Sequence, residues 1–162
     1  MTAQTFMLVL LLVPGVCRAQ TASTNQLVGT WRLVRFADTP EGGTTLYAHG
    51  EHPVGQFIYT PDGHLSVHIM HDPSDPKPAP AVPGLEATDR YVGYFGTYTV
   101  LESEGLVVHH VTGGSLPSYI NTDQRRPFQL KGDTLTIGGV RTAPNGVRVR
   151  WERVLVRAPS AR

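Results

Sequence analysis

Glycine and proline recur along the whole chain, seventeen and thirteen times in 162 residues, and their spread limits the fold more than any other feature. Glycine inside a helix loses more backbone freedom than any other residue, and proline lacks the amide N–H and clashes with the preceding turn. Together they interrupt any long helix. The chain therefore reads as many short strands joined by turns, not as a helical bundle or coiled coil. Its length supports one hydrophobic core and hardly two.

The first segment is set apart by composition. Phe6 to Val13 form an apolar run ended by Pro14 and Gly15 and followed by Cys17, Arg18 and Ala19. Eight residues cannot span a bilayer. Small residues at 17 and 19 suit the minus-three and minus-one pockets of a signal peptidase, so residues 1–19 read as a signal peptide cleaved after Ala19, for a secreted or periplasmic protein. Residues 2–5 carry no Lys or Arg, which is atypical of such a segment. A lipoprotein signal acylated at Cys17 would need Gly, Ala or Ser just before it, and Val16 stands there. Cleavage removes the single cysteine, and with it disulfides, thiol catalysis and thiolate metal sites. It also removes Arg18, leaving thirteen basic and thirteen acidic residues. That balance is no nucleic-acid footprint, and the mature chain keeps no integral membrane segment.

Residues 20–26 read as a polar tail and 27–157 as one β domain. The first strand covers Leu27 to Phe36, and Ala37 to Pro53 read as a loop. Gln56 to Tyr59 and Leu65 to Met70 flank Thr60-Pro61-Asp62-Gly63, a type I hairpin turn with Pro second and Gly fourth. Five prolines from Pro73 to Pro83 predict a semi-rigid loop, and Glu86 to Val92 one helical turn. Further strands are expected at Tyr94 to Leu101, Leu106 to Thr112, Arg125 to Leu130, Thr134 to Ile137 and Val147 to Val156. Eight successive antiparallel strands fit an up-and-down barrel, with a sandwich as the alternative. In the last strand Val147, Val149, Trp151, Arg153 and Leu155 share the core face.

The ordered blocks Leu27-Val28-Gly29-Thr30-Trp31-Arg32-Leu33-Val34, Pro53 to Gly63, Tyr94-Phe95-Gly96-Thr97-Tyr98, Val108-His109-His110-Val111 and Trp151-Glu152-Arg153-Val154 resemble the lipocalin-like domain family of bacteria and fungi. They span residues 27 to 154, essentially the whole mature domain. The resemblance implies a lipocalin-type all-β barrel with an internal pocket for an apolar or amphipathic molecule. The chain departs from the family in the proline-rich stretch Asp72 to Pro83.

Trp31 and Arg153, with Gly29, read as structure: the last strand pairs with the first, and a guanidinium over the indole would close the barrel floor. Arg150 is the second choice for that partner. The histidines do not assemble a metal site, because His64 and His68 stand about 13 Å apart on one strand face. His109 and His110 are adjacent and face opposite ways, so one of them points inward whatever the register. An inward imidazole can orient a ligand or move a proton near neutral pH. Periodicity does not choose between them; His110, sharing a face with Leu106 and Val108, is the residue expected inside. Gln56, His68, Tyr94 and Tyr98 are the other candidate pocket groups. Ser115 and Ser118 have no nucleophile context, and the carboxylates lie scattered in turns. The expectation is a binding protein for a small hydrophobic molecule, without a cofactor. The alternative is a pocket isomerase or cyclase using a histidine as acid or base.

Overall fold

The computed structural model describes residues 24–74 and 91–160. Eight strands follow one another: β1 Gly29–Pro40, β2 Val54–Tyr59, β3 His64–Met70, β4 Tyr91–Leu101, β5 Leu106–Gly114, β6 Thr122–Lys131, β7 Thr134–Thr142 and β8 Arg148–Arg157. Each pairs antiparallel with the next, and β8 pairs with β1, so the sheet closes into an up-and-down barrel and not a sandwich. Closure satisfies the backbone groups that an open sheet would present at its edges. Among the described residues no helix is long and apolar enough to cross a membrane.

Several strands outrun the sequence expectation. β1 continues to Pro40 because β8 pairs with it as far as Val149. On its other side Asp38 and Leu46 exchange backbone hydrogen bonds of 3.0 and 2.8 Å. β7 runs through Gly138 and Gly139 to Thr142, held along its length by β8. One helical turn, α1 (Thr24–Leu27), occupies part of the stretch expected to be a polar tail. The helical turn expected over Glu86 to Val92 falls partly on residues 86–90, outside the described residues; Tyr91 and Val92 already belong to β4. The hairpin at 60–63 forms as its residues require: the Gly63 amide donates to the Thr60 carbonyl at 3.1 Å, with Gly63 at φ 86°, where glycine alone is unstrained.

The two ends of the barrel differ. Short connections at 60–63, 102–105 and 132–133 gather at one end, and the long connections 41–53 and 115–121 at the other. The short-turn end is solid: Leu27, Trp31, Leu33, Tyr59, Val107, Leu135 and Leu155 are each at most 1% exposed. Trp31 Nε1–H donates to the Leu27 carbonyl at 2.8 Å and fixes α1 across this end.

The guanidinium over Trp31 belongs to Arg157, 4.1 Å from the ring centroid, and not to Arg153 or Arg150. β8 runs to Arg157, and antiparallel pairing sets that last residue opposite Trp31, while Arg153 stands opposite Phe36. Arg157 also donates to the Val28 and Gln26 carbonyls at 3.0 and 2.8 Å. Gly29 makes room for it: with φ at 135°, a Cβ there would lie 2.8 Å from Arg157 Nη1. Trp31→Ala is expected to cost about 3–5 kcal/mol as a buried large-to-small change. Arg157→Ala should cost about 1–2 kcal/mol through lost packing and cation–π contact. Chemical denaturation measures both, and wild-type midpoints in both variants would remove this end's structural role.

Candidate functional site

The inward faces are set by alternation, with one interruption. In β2 and β3, Phe57, Tyr59, Leu65, Val67 and Ile69 point in; in β7 and β8, Leu135, Ile137, Arg153 and Leu155 do. β1 starts the same way with Trp31 and Leu33, then slips by one residue at Val34 against β8. A bulge of this kind swaps the faces beyond it. Phe36 and Asp38 therefore turn in and Arg35 turns out, paired with Glu152 at 3.2 Å.

A charged cluster results toward the long-loop end. Asp38 is 3% exposed. Its carboxylate accepts from Arg153 Nη1 at 2.7 Å and from Arg141 Nη2 at 3.2 Å. Arg153 also donates to the Ala37 carbonyl at 2.9 Å, and its guanidinium covers the Phe36 ring at 3.3 Å. Burial pulls the Arg153 pKa down, and Asp38 pulls it back up. Arg126 comes in from β6, on the face set by Phe128, and donates to Tyr119 Oη and Gln124 Oε1 at 3.3 Å each. Its guanidinium lies 5.5 Å from the Trp151 ring and 5.6 Å from Tyr119. His49, 4% exposed, stands edge-on to Phe36 at 4.6 Å between centroids.

The inward histidine is His109, fully buried, and not His110. His109 stands opposite Tyr98, an inward residue of β4, which sets the phase of β5 and places Leu106, Val108 and His110 outside. His110 instead bonds Asp123 at 2.7 Å and Thr99 at 3.0 Å on the surface. His109 is held by two tyrosines, Nε2 at 2.9 Å from Tyr59 Oη and Nδ1 at 3.0 Å from Tyr94 Oη. In the neutral imidazole one nitrogen donates and the other accepts, so one of these phenols donates to His109 and the other accepts from it. The Arg126 guanidinium stands beside the Tyr94 hydroxyl. Tyr98 also lines the interior and donates to the Thr60 carbonyl at 2.9 Å.

Gln56 and His68 lie on the outer face, opposite each other in the β2–β3 register, with His68 bonded to Ser66 and Tyr91. So of the six candidates the interior brings together His109, Tyr94 and Tyr98, while His110, His68 and Gln56 face out. Asp38 was missed because Ala37 to Pro53 reads as a loop. Arg126 was legible: it is two residues from Phe128, and alternation puts both on one face. Among the described residues no three His, Cys, Asp or Glu side chains gather to hold a metal ion.

Burial sets the protonation of this interior. It holds His109 at about 3 and, together with the Arg153 charge, His49 at about 4. Tyr94 is pushed up to about 12 by desolvation, and Tyr59 also lies well above 10.0. At neutral pH the imidazoles are uncharged and the phenols keep their protons. The unfolded chain protonates each histidine near 6.5, so it binds more protons than the fold below that pH. Stability contributed by these groups is complete above about 6.5 and falls as pH drops toward 4 for His49 and 3 for His109, by up to about 1.4 kcal/mol per pH unit and group. Guanidinium denaturation at pH 7 and pH 5 should show this loss, and His109→Gln should shrink the difference. An undiminished difference would place the titration elsewhere.

A separate groove of about 500 Å³ lies outside the barrel, where Arg35, Thr39, Arg148 and Arg150 of β1 and β8 meet the 41–43 loop. It is open to solvent and lacks the buried polar groups of the interior.

No curated protein and no solved structure matches the chain. A family model, described as a lipocalin-like domain, matches residues 28–154, from the strand that opens the barrel to the one that closes it. The chain belongs to the lipocalin-like domain family.

Proposed function

We propose that the chain is exported, with cleavage after Ala19, and that its barrel binds a small hydrophobic or amphipathic molecule at the long-loop end. The observation that carries the reading is the division of the interior. One half is packed solid around Trp31, and the other brings Trp151, Tyr119 and Phe36 together with a few buried polar groups. Ligand sites are concave, mainly apolar or aromatic, and carry a small number of placed polar groups. A lipocalin-like barrel suggests the same use. The interior histidine supports binding over acid–base chemistry, because both of its nitrogens are already taken by tyrosine hydroxyls. The hydrophobic segment at Phe6 to Val13 and the small residues before Gln20 support export.

Native mass spectrometry of the protein purified from its own organism tests both parts. A chain beginning at Gln20 and carrying a chemically unaltered organic molecule, removable by solvent extraction, is the expected result. Extraction should lower the denaturation midpoint, since a ligand at one hundred times its Kd stabilises by about 2.7 kcal/mol. A chain that retains residues 1–19 would overturn the export reading. A protein with no bound species, and no uptake of any apolar dye, would overturn the binding reading.

A further inference from the structure

Three arginines, Arg126, Arg141 and Arg153, reach the long-loop half of the barrel, and the one carboxylate paired with them among the described residues is Asp38. Arg141 and Arg153 share it. Among the described residues Arg126 has neutral partners alone: Tyr119 Oη and Gln124 Oε1 at 3.3 Å, which is long for a charged donor, and the Tyr94 hydroxyl beside it. A guanidinium stays protonated at any pH the fold survives, and a cation drawn out of water without a counter-charge is costly. Arg126 and Arg153 lie 5.5 and 5.6 Å from one Trp151 ring, so the surplus positive charge surrounds an aromatic face. A second, independent sign is His49 Nδ1, which is buried and has no hydrogen-bond partner among the described residues.

The solid half limits size. Residues at the level of Trp31, Leu33, Leu135 and Leu155 are at most 1% exposed and leave no path for a long alkyl chain. Resting on the small-molecule reading above, we infer that the ligand is a compact amphipathic monoanion: a carboxylate or sulfonate on a ring body, its headgroup on Arg126 and its ring against Trp151 and Tyr119. The guanidinium fork matches such a headgroup with two parallel N–H donors. The aromatic pair supplies the apolar surface.

Two dyes separate headgroup from body. 1-Anilinonaphthalene-8-sulfonate and N-phenyl-1-naphthylamine share a skeleton and differ by the sulfonate. Fluorescence titration of the mature chain at neutral pH is expected to show the sulfonate binding at least about tenfold more tightly. The ratio should fall to about one in Arg126→Met. It should persist in Arg125→Met, which removes an equal charge from the outer face, where Arg125 pairs with Glu104 at 2.7 Å. Arg126→Lys, keeping the charge without the fork, should retain part of the preference. Chemical denaturation reports whether each variant folds, and the wild-type ratio stands without any variant. If the sulfonate binds no more tightly than the neutral dye, or its preference survives Arg126→Met, the anion inference is wrong while the small-molecule reading stands. If neither dye binds the wild type, both fall.

Discussion

The pairing of β1 with β8 closes the ring, and the one-residue bulge at Val34 within that pairing decides what the ring encloses. Before the bulge, alternation places Trp31 and Leu33 inside, where they join the solid half. After it, the phase reverses, and Asp38 enters in place of Arg35 and Ala37. Without that slip Arg35 would sit inside, and Arg153 would lose the carboxylate 2.7 Å from its guanidinium. The last residue of the same pairing, Arg157, locks the opposite end over Trp31. One ladder thus positions the floor of the barrel and the charged cluster above it.

The cluster is unbalanced, and the imbalance is what separates this interior from an ordinary core. A buried Asp–Arg pair recovers its desolvation cost when the remaining donors find acceptors, as Arg153 does with the carbonyls of Ala37 and Glu152. Among the described residues Arg126 has only neutral partners, the phenols of Tyr119 and Tyr94 and the amide of Gln124.

The hydrogen-bonded chain from Tyr94 through His109 to Tyr59 links the two halves. Each phenol gives the imidazole what burial would otherwise deny it, so the group stays neutral and fixed. Such a network stiffens the wall beside Arg126 and aims Tyr94, whose ring also meets Tyr119 edge-on at 5.8 Å. The histidine is then part of the frame of the site.

Local chemistry determined the turns, and through them the number and order of strands. Pro61 and Gly63 force a hairpin whatever surrounds them, and the regular spacing of such breaks leaves room for strands alone. Alternation within one strand put Arg153 on the core face, and the same rule, had it been applied to β6, would have set Arg126 on the face of Phe128. Alternation has no origin of phase, however. His109 and His110 read identically in isolation, and only the register of β5 against Tyr98 of β4 separates them. The inward turn of Asp38 depends on a bulge that no residue near Val34 announces, because the slip is settled by what β8 places opposite. The guanidinium over Trp31 was likewise assigned to Arg153 from chain position alone; how far β8 extends before it meets α1 is a property of the closed ring. What the sequence by itself determined was the set of elements and their faces, since those follow from backbone and side-chain period. Which charges meet inside was decided by the tertiary structure, because register is a relation between strands distant in the chain.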